Sequence, residues 1–411
     1  MLKRRVVVTG MAGFSPIGND WDEMRARLVA KRSGIQHMPE WDKYNGLLTR
    51  LGGPVEHFEL PSHYTRKNTR SMGRVALLST RATELALTDA GLLGDPVISS
   101  GRTGVSYGSS VGSTAAIADF GNMLLNHDIG NLNATTYLKM MGHTTLANVA
   151  VFFQVRGRML PAVSACTSGS QAIGFSYEAI KFGQQEVMLA GGAEELCPTM
   201  AALFDALYAA STRNDEPELT PRPFDRDRDG LVIGEGAGTL VLEELEHAQQ
   251  RGAKIYAEVV GYATNADGAH VTSPHPETQK IVMRLALEDA GLEPDQIAYI
   301  SAHGTATEQG DIAESEATAA VFGSNIPVST LKGYTGHTLG ASGALEAMIA
   351  IQMMREGWFH PNLNLDHIDP RCAELDYITG DGRKIDAEYI VSNNFAFGGI
   401  NTSLVFRRWA D

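Results

Sequence analysis

Residues 85–92 read LALTDAGL and residues 285–292 read LALEDAGL, so seven of eight positions agree at a separation of 200 residues. Such self-similarity argues that the chain is a duplication. Each copy closes a segment of helical character. In the second, Ile281, Val282, Leu285 and Ala286 follow the i, i+3, i+4 spacing of one helix face. Both copies end in Ala-Gly, where glycine supplies the left-handed residue that caps a helix. A short loop and an apolar strand follow each, around Thr103 to Tyr107 and Ile297 to Ala302. These strands run into Gly108-Ser109-Ser110 and His303-Gly304-Thr305. Further strands at Arg5–Thr9, Leu160–Ala165, Val187–Ala190, Gly238–Leu242 and Ile255–Val260 alternate with helical stretches, the pattern of an α/β protein with buried sheets. No linker tract intervenes, so two closely packed halves are expected, residues 1–250 and 251–411. The first half carries an insertion of helices and loops near 105–158.

With 411 residues, 43% of them apolar, each half can bury a core. Lys and Arg number 34 against 48 Asp and Glu, a net charge of −14 that repels nucleic-acid backbone and anionic lipid. No run of about 18 apolar residues occurs, and the three valines near the start are too few for a signal-peptide core. A cytoplasmic protein with no nucleic-acid or membrane partner is expected. Three cysteines without a CxxC pair exclude a disulfide framework and suit a reducing compartment, where a lone thiol stays reactive.

Cys166 has the setting of a reactive thiol. It lies between an apolar strand and a helix whose face is Ile173, Tyr177 and Ile180 and whose end is Gly183. At such a turn the helix dipole and free backbone N–H groups favour thiolate, and Thr167, Ser168, Gly169 and Ser170 leave room for a bulky substrate. An inert core cysteine is the competing reading, because burial is the commonest fate of a free thiol. Cys197 and Cys372 lack this setting. His303 in SAHGTAT and His337 in KGYTGHTLGASGALE also stand among small residues that leave an imidazole free to face a cleft. An imidazole Nε2–H there can donate to a thioester carbonyl or an enolate. Lys332 and Glu346 flank His337 and are candidates for an ion pair. In NNFAFGGIN (393–401), Gly398 and Gly399 allow unusual backbone angles beside Phe395 and Phe397. No phosphate-binding glycine motif follows a strand, so no nucleotide cofactor is expected. Two weaker patterns compete: Gly108-Ser109-Ser110-Val111-Gly112 fits a serine-hydrolase elbow, and His270 with His275 lacks an acidic partner for a metal.

Seven strings occur in a fixed order: SACTSGS (164–170), GGAEELC (191–197), STRND (211–215), RPFDRDRDGLVIGEGAG (222–238), SAHGTAT (301–307), KGYTGHTLGASGALE (332–346) and NNFAFGGIN (393–401). Together they resemble the β-ketoacyl-[acyl-carrier-protein] synthases of types I and II, over essentially the whole chain. The resemblance implies a thiolase-like duplicated fold of five αβαβα layers, as a homodimer or paired with a related subunit. It implies that Cys166 takes an acyl chain from acyl carrier protein as a thioester. His303 and His337 would bind the malonyl thioester and promote its decarboxylation, with Lys332 in electrostatic support and Glu346 as its companion. The N–H groups of Cys166 and Phe397 would form an oxyanion hole, and Phe397, beside Phe395, would gate entry. The resemblance further places an acyl tunnel at Val111, Phe204 and Tyr137 and a carrier-protein patch at Arg66, Lys67, Arg70 and Arg74. No cofactor is implied, though some members bind a cation near Glu346, Ser392 and Asn393.

The chain also departs from the family. Glu308 replaces the proline of HGTSTP, Ala396 and Ile400 alter FGFGGTN, and Ser301 stands where asparagine is common. Three other readings compete with fatty-acid elongation: a polyketide or aryl-polyene condensing enzyme, a non-catalytic chain-length partner (which would lack the cysteine), and a hydrolase using Ser110.

Overall fold

The computed structural model describes residues 3–410. The first copy supplies strands β1 (Val6–Phe14), β2 (Thr103–Gly108), β3 (Met159–Pro161), β4 (Val187–Glu194) and β5 (Gly236–Glu244). The second supplies β6 (Ala257–Ala266), β7 (Ile297–Ser301), β8 (Pro327–Ser329), β9 (Asp376–Tyr377), β10 (Tyr389–Ala396) and β11 (Ile400–Arg408). They join in the order β9-β8-β7-β10-β11-β6-β1-β5-β4-β2-β3. Counted outward from the centre, the first half runs first, fifth, fourth, second, third strand. With β9 set aside as an added edge, the second half repeats that order. The pairing directions repeat too: antiparallel twice, then parallel twice. The halves meet where Val6–Val8 run antiparallel to Ala257–Val259. The duplication read from eight residues is thus written in the topology.

Helices complete the layers. Helix α1 (Arg74–Asp89) covers the outer face of the first half-sheet, against β1, β4 and β5. The insertion folds as α2 (Thr114–Asn126), α3 (Ala134–Met140) and α4 (Thr144–Phe152), the last packed on α1 and β2. Helices α5 (Ser168–Lys181) and α8 (Ser342–Glu356) lie together between the half-sheets, each touching strands of both. On the far side α6 (Pro276–Ala290) and α7 (Glu308–Phe322) share a core with β7, β8, β10 and β11. These are the five αβαβα layers expected.

The middle layer depends on small residues. A Cβ on Gly169 of α5 would stand 2.6 Å from the Ala344 nitrogen, and one on Gly343 of α8 would stand 2.4 Å from the Ser170 nitrogen. This contact brings the start of α5, with Cys166 beside it, against the segment that carries His337.

Both repeats end as expected, with Gly91 and Gly291 each at φ +69°. Two expectations are corrected. Ile281 and Leu285 are 48% and 42% exposed, while Val282, Met283, Ala286 and Leu287 are buried. Two apolar stripes run side by side on α6, and spacing alone does not choose which one the sheet covers. The strand expected over Leu160–Ala165 ends at Pro161, because the chain must turn sharply to start α5.

Candidate active site

Cys166 sits in a single 3₁₀ turn, Ala165–Thr167, directly before α5. Ala165 takes φ +51°, a conformation that a side-chain-bearing residue holds only where its surroundings enforce it. Side chains enforce it here: the Ser168 hydroxyl donates to the Ala165 carbonyl at 2.8 Å, and the Thr167 hydroxyl to the Ser164 carbonyl at 2.8 Å. The thiol is only 5% exposed. Burial pushes it up to about 11, although Lys332 and the backbone N–H groups of Phe397 and Cys166 pull the other way. The backbone N–H groups favour thiolate as the turn suggests, but desolvation outweighs them.

His303 and His337 arrive from the second half. His303 follows β7, and its N–H and that of Gly304 both donate to Glu314 of α7, at 2.7 Å each. Burial pushes the Glu314 carboxyl up to about 8. The side-chain Nδ1 of His303 receives the Lys332 ammonium at 3.1 Å and the Asn394 amide at 3.2 Å. For His337, Nδ1 accepts the Leu339 N–H at 3.3 Å and lies 3.0 Å from the Ser342 hydroxyl. A ring nitrogen that accepts carries no proton, so in both neutral imidazoles the proton is on Nε2. Both Nε2 atoms are buried without a protein partner. Burial first, then the Lys332 charge, holds both rings well below the usual histidine range, so they stay neutral.

These groups converge. One ligand atom each from Cys166, His303 and His337 lies within 4.8 Å of the others, and the imidazole rings meet edge to face at 5.1 Å. The spacing would suit a metal, but each Nδ1 is already an acceptor and each Nε2 turns an N–H to the cavity. The rings are arranged as donors rather than ligands. Beneath them Lys332 Nζ meets Glu346 Oε1 at 2.5 Å, and the Asn394 amide donates to Glu346 Oε2 at 2.6 Å. Asn394 thus touches both His303 and Glu346, a role that no local motif marks.

A cavity of about 520 Å³ opens over the three residues and is lined also by Phe204, Phe395, Phe397 and Thr305, a size suited to a small-molecule chain. Phe397 and Phe204 pack with centroids 5.3 Å apart. Gly398 and Gly399, at φ +92° and +70°, form the turn beside Phe397 that no side-chain-bearing residue adopts cheaply. Val111 packs in the same cluster as Cys166 and Phe204.

Other expected site residues fall elsewhere. Tyr137 is 57% exposed on α3 and does not line the cavity of a single chain. Arg66, Lys67, Arg70 and Arg74 are all exposed, and Arg74 also pairs with the buried Glu235 through two guanidinium nitrogens. The Ser110 hydroxyl donates to the buried Glu194 rather than to a histidine, which removes the hydrolase reading. Glu308 opens α7 and pairs with Arg371, so the lost proline becomes a helix-start acid. Ser392 Oγ and Asn393 Oδ1 are buried without partners, but as successive residues of β10 they point to opposite faces of the sheet, Asn393 toward Met283 of α6, and do not form one cation site.

Among the described residues, no helix is long and apolar enough to cross a membrane. The family profile "Beta-ketoacyl synthase, N-terminal domain" matches residues 3–248, and "Beta-ketoacyl synthase, C-terminal domain" matches 256–366. The 3-oxoacyl-[acyl-carrier-protein] synthase 2 of Vibrio cholerae is 38% identical over 416 residues, covering 99% of this chain and 100% of its own. A crystal structure of a β-ketoacyl synthase from Burkholderia phymatum is 57% identical, with a TM-score of 0.98 over 99% of this chain and 100% of that one. A ketosynthase solved with its type II polyketide acyl carrier protein, bound to the hexaketide, is 31% identical, with a TM-score of 0.88 over 99% and 100%.

Proposed function

The chain belongs to the β-ketoacyl synthase family; from that premise we propose that it is a condensing enzyme of fatty-acid elongation whose residues divide the work as follows. Cys166 Sγ attacks the acyl thioester on acyl carrier protein. The carrier's C–S bond breaks, and the proton lost by the Cys166 thiol ends on the carrier's thiol. Covalent capture splits a hard condensation into two easier steps. The tetrahedral oxyanion falls to the N–H groups of Cys166 and Phe397, the two backbone donors that favour negative charge at the sulfur.

A malonyl thioester then enters past Phe397, and its carbonyl oxygen accepts from both Nε2–H groups. As the C–CO₂ bond breaks, its electron pair forms an enolate whose oxygen those neutral donors stabilise without needing to charge. The carbanion attacks the acyl carbonyl, the C–S bond to Cys166 breaks, and the thiolate takes up a proton from solvent. Lys332, Glu346 and Asn394 are positioning groups that keep the His303 proton on Nε2.

The observation that carries this reading is two imidazoles, each with Nδ1 occupied by donors, facing one thiol across a few ångströms. Acyl carrier protein is the partner, docking beside Arg66, Lys67 and Arg70. The molecule acts as a homodimer in the cytoplasm, with residues 1–250 and 251–411 as its halves. A type II polyketide pathway is the second reading, favoured by the carrier-bound ketosynthase at 31% identity.

Intact-protein mass spectrometry after incubation with a ladder of saturated and polyene acyl carriers tests the assignment. His303→Ala and His337→Ala should still gain an acyl adduct, and Cys166→Ala should gain none. An adduct on Cys166→Ala, or none on either histidine variant, would contradict it. Which rung loads fastest separates the two pathways.

A further inference from the structure

Glu194 ends β4 and is wholly buried, yet the condensation gives it no task. Its Oε2 accepts three hydrogen bonds: from the Ser110 N–H at 2.8 Å, the Ser110 hydroxyl at 2.5 Å and the Gly340 N–H at 3.1 Å. Its Oε1 has no partner. A carboxylate buried this deeply is retained at a cost unless the groups it grips must be held.

The gripped groups belong to opposite halves of the molecule. Ser110 precedes Val111, in the cluster around Cys166 and Phe204. Gly340 follows Leu339, whose N–H is the donor on His337 Nδ1. Leu339 takes φ +48°, a left-handed conformation that a side-chain-bearing residue keeps only where it is held. The two loops also touch through backbone: a Cβ on Gly340 would stand 2.8 Å from the Ser109 Cα and 2.9 Å from the Ser110 nitrogen.

We propose that Glu194 is a positioning residue for His337. By gripping Gly340 it holds the Leu339 N–H on Nδ1 and so keeps the ring proton on Nε2, facing the cavity. By gripping Ser110 with the same oxygen, it ties that tautomer to the wall beside the acyl chain. When the Leu339 N–H withdraws, Nδ1 is free to carry the proton and donate it to the Ser342 hydroxyl oxygen. Nε2 then turns a lone pair toward the enolate oxygen and opposes the charge it should stabilise.

This inference rests on the assignment of His337 to decarboxylation, and the test separates the two. Malonyl-carrier decarboxylation and Cys166 acylation are measured for the wild type, Glu194→Ala, Glu194→Gln and His337→Ala. Glu194→Ala should lose about tenfold or more in decarboxylation kcat with KM nearly unchanged, while acylation stays within about threefold. Glu194→Gln keeps an oxygen for the same three donors and should restore decarboxylation to within about threefold of wild type. If Glu194→Ala does not accumulate, Glu194→Asp withdraws the carboxylate by one methylene and should show the same split at smaller size. Normal decarboxylation by the alanine variant (or by the aspartate variant in its place), equal loss in both half-reactions, or no rescue by glutamine would overturn the proposal. Normal decarboxylation by His337→Ala would overturn the underlying assignment instead.

Discussion

Cys166 is a thiol at rest, because burial outweighs everything that would ionise it. The consequence is that little thiolate stands ready before a reaction begins. A thiol pushed up to about 11 gains thiolate about tenfold per pH unit well below that value. Alkylation of Cys166 by iodoacetamide, followed on its own peptide by mass spectrometry, should therefore keep climbing through pH 9. A plateau below pH 8 would contradict the buried-thiol account. At this scale the sequence was a good guide wherever a reactive group is framed by small neighbours, as Cys166, His303 and His337 are, and the Lys332–Glu346 pair formed as expected. It was a poor guide to Asn394, Glu314 and Glu194. These are ordinary polar residues whose meaning comes from partners 48, 10 and 84 positions away, and no local pattern marks such contacts. Arg74 shows the same limit: its basic spacing with Arg70 says nothing of the buried Glu235 that its exposed guanidinium meets.

The element that most invites a partner is β3. It closes the sheet and is paired on one side only, to β2, and an open sheet edge is a template for another strand. Met159 on it and Val163 just after it are 44% and 46% exposed. The homodimer proposed above should form through this edge, and sedimentation of the wild type should show a dimer. The double change Met159→Lys with Val163→Glu should yield a monomer, whereas a wild-type monomer, or an unchanged dimer in the variant, would contradict this placement. Elements were legible in the sequence where local chemistry sets them, as at the glycine caps of both repeats. The exposed stripe on α6 and the early stop of β3 were not, because neighbouring layers choose the buried face and the turn into α5 ends the strand.

For the whole molecule, the repeat of eight residues foretold a repeat of strand order and pairing direction, though not the order itself, which depends on contacts far apart in the chain. The duplication also divides the chemistry. The nucleophile lies in the first half and both imidazoles in the second, and they meet because α5 and α8 pack through Gly169 and Gly343. On the proposed mechanism, acyl capture and decarboxylation are separable functions of groups from two halves that share one cavity. Release of labelled carbon dioxide from carboxyl-labelled malonyl-acyl-carrier protein reads that separation directly. Cys166→Ala should release it while forming no condensed product, and His303→Ala should release almost none. A silent Cys166→Ala, or normal release from His303→Ala, would contradict the account.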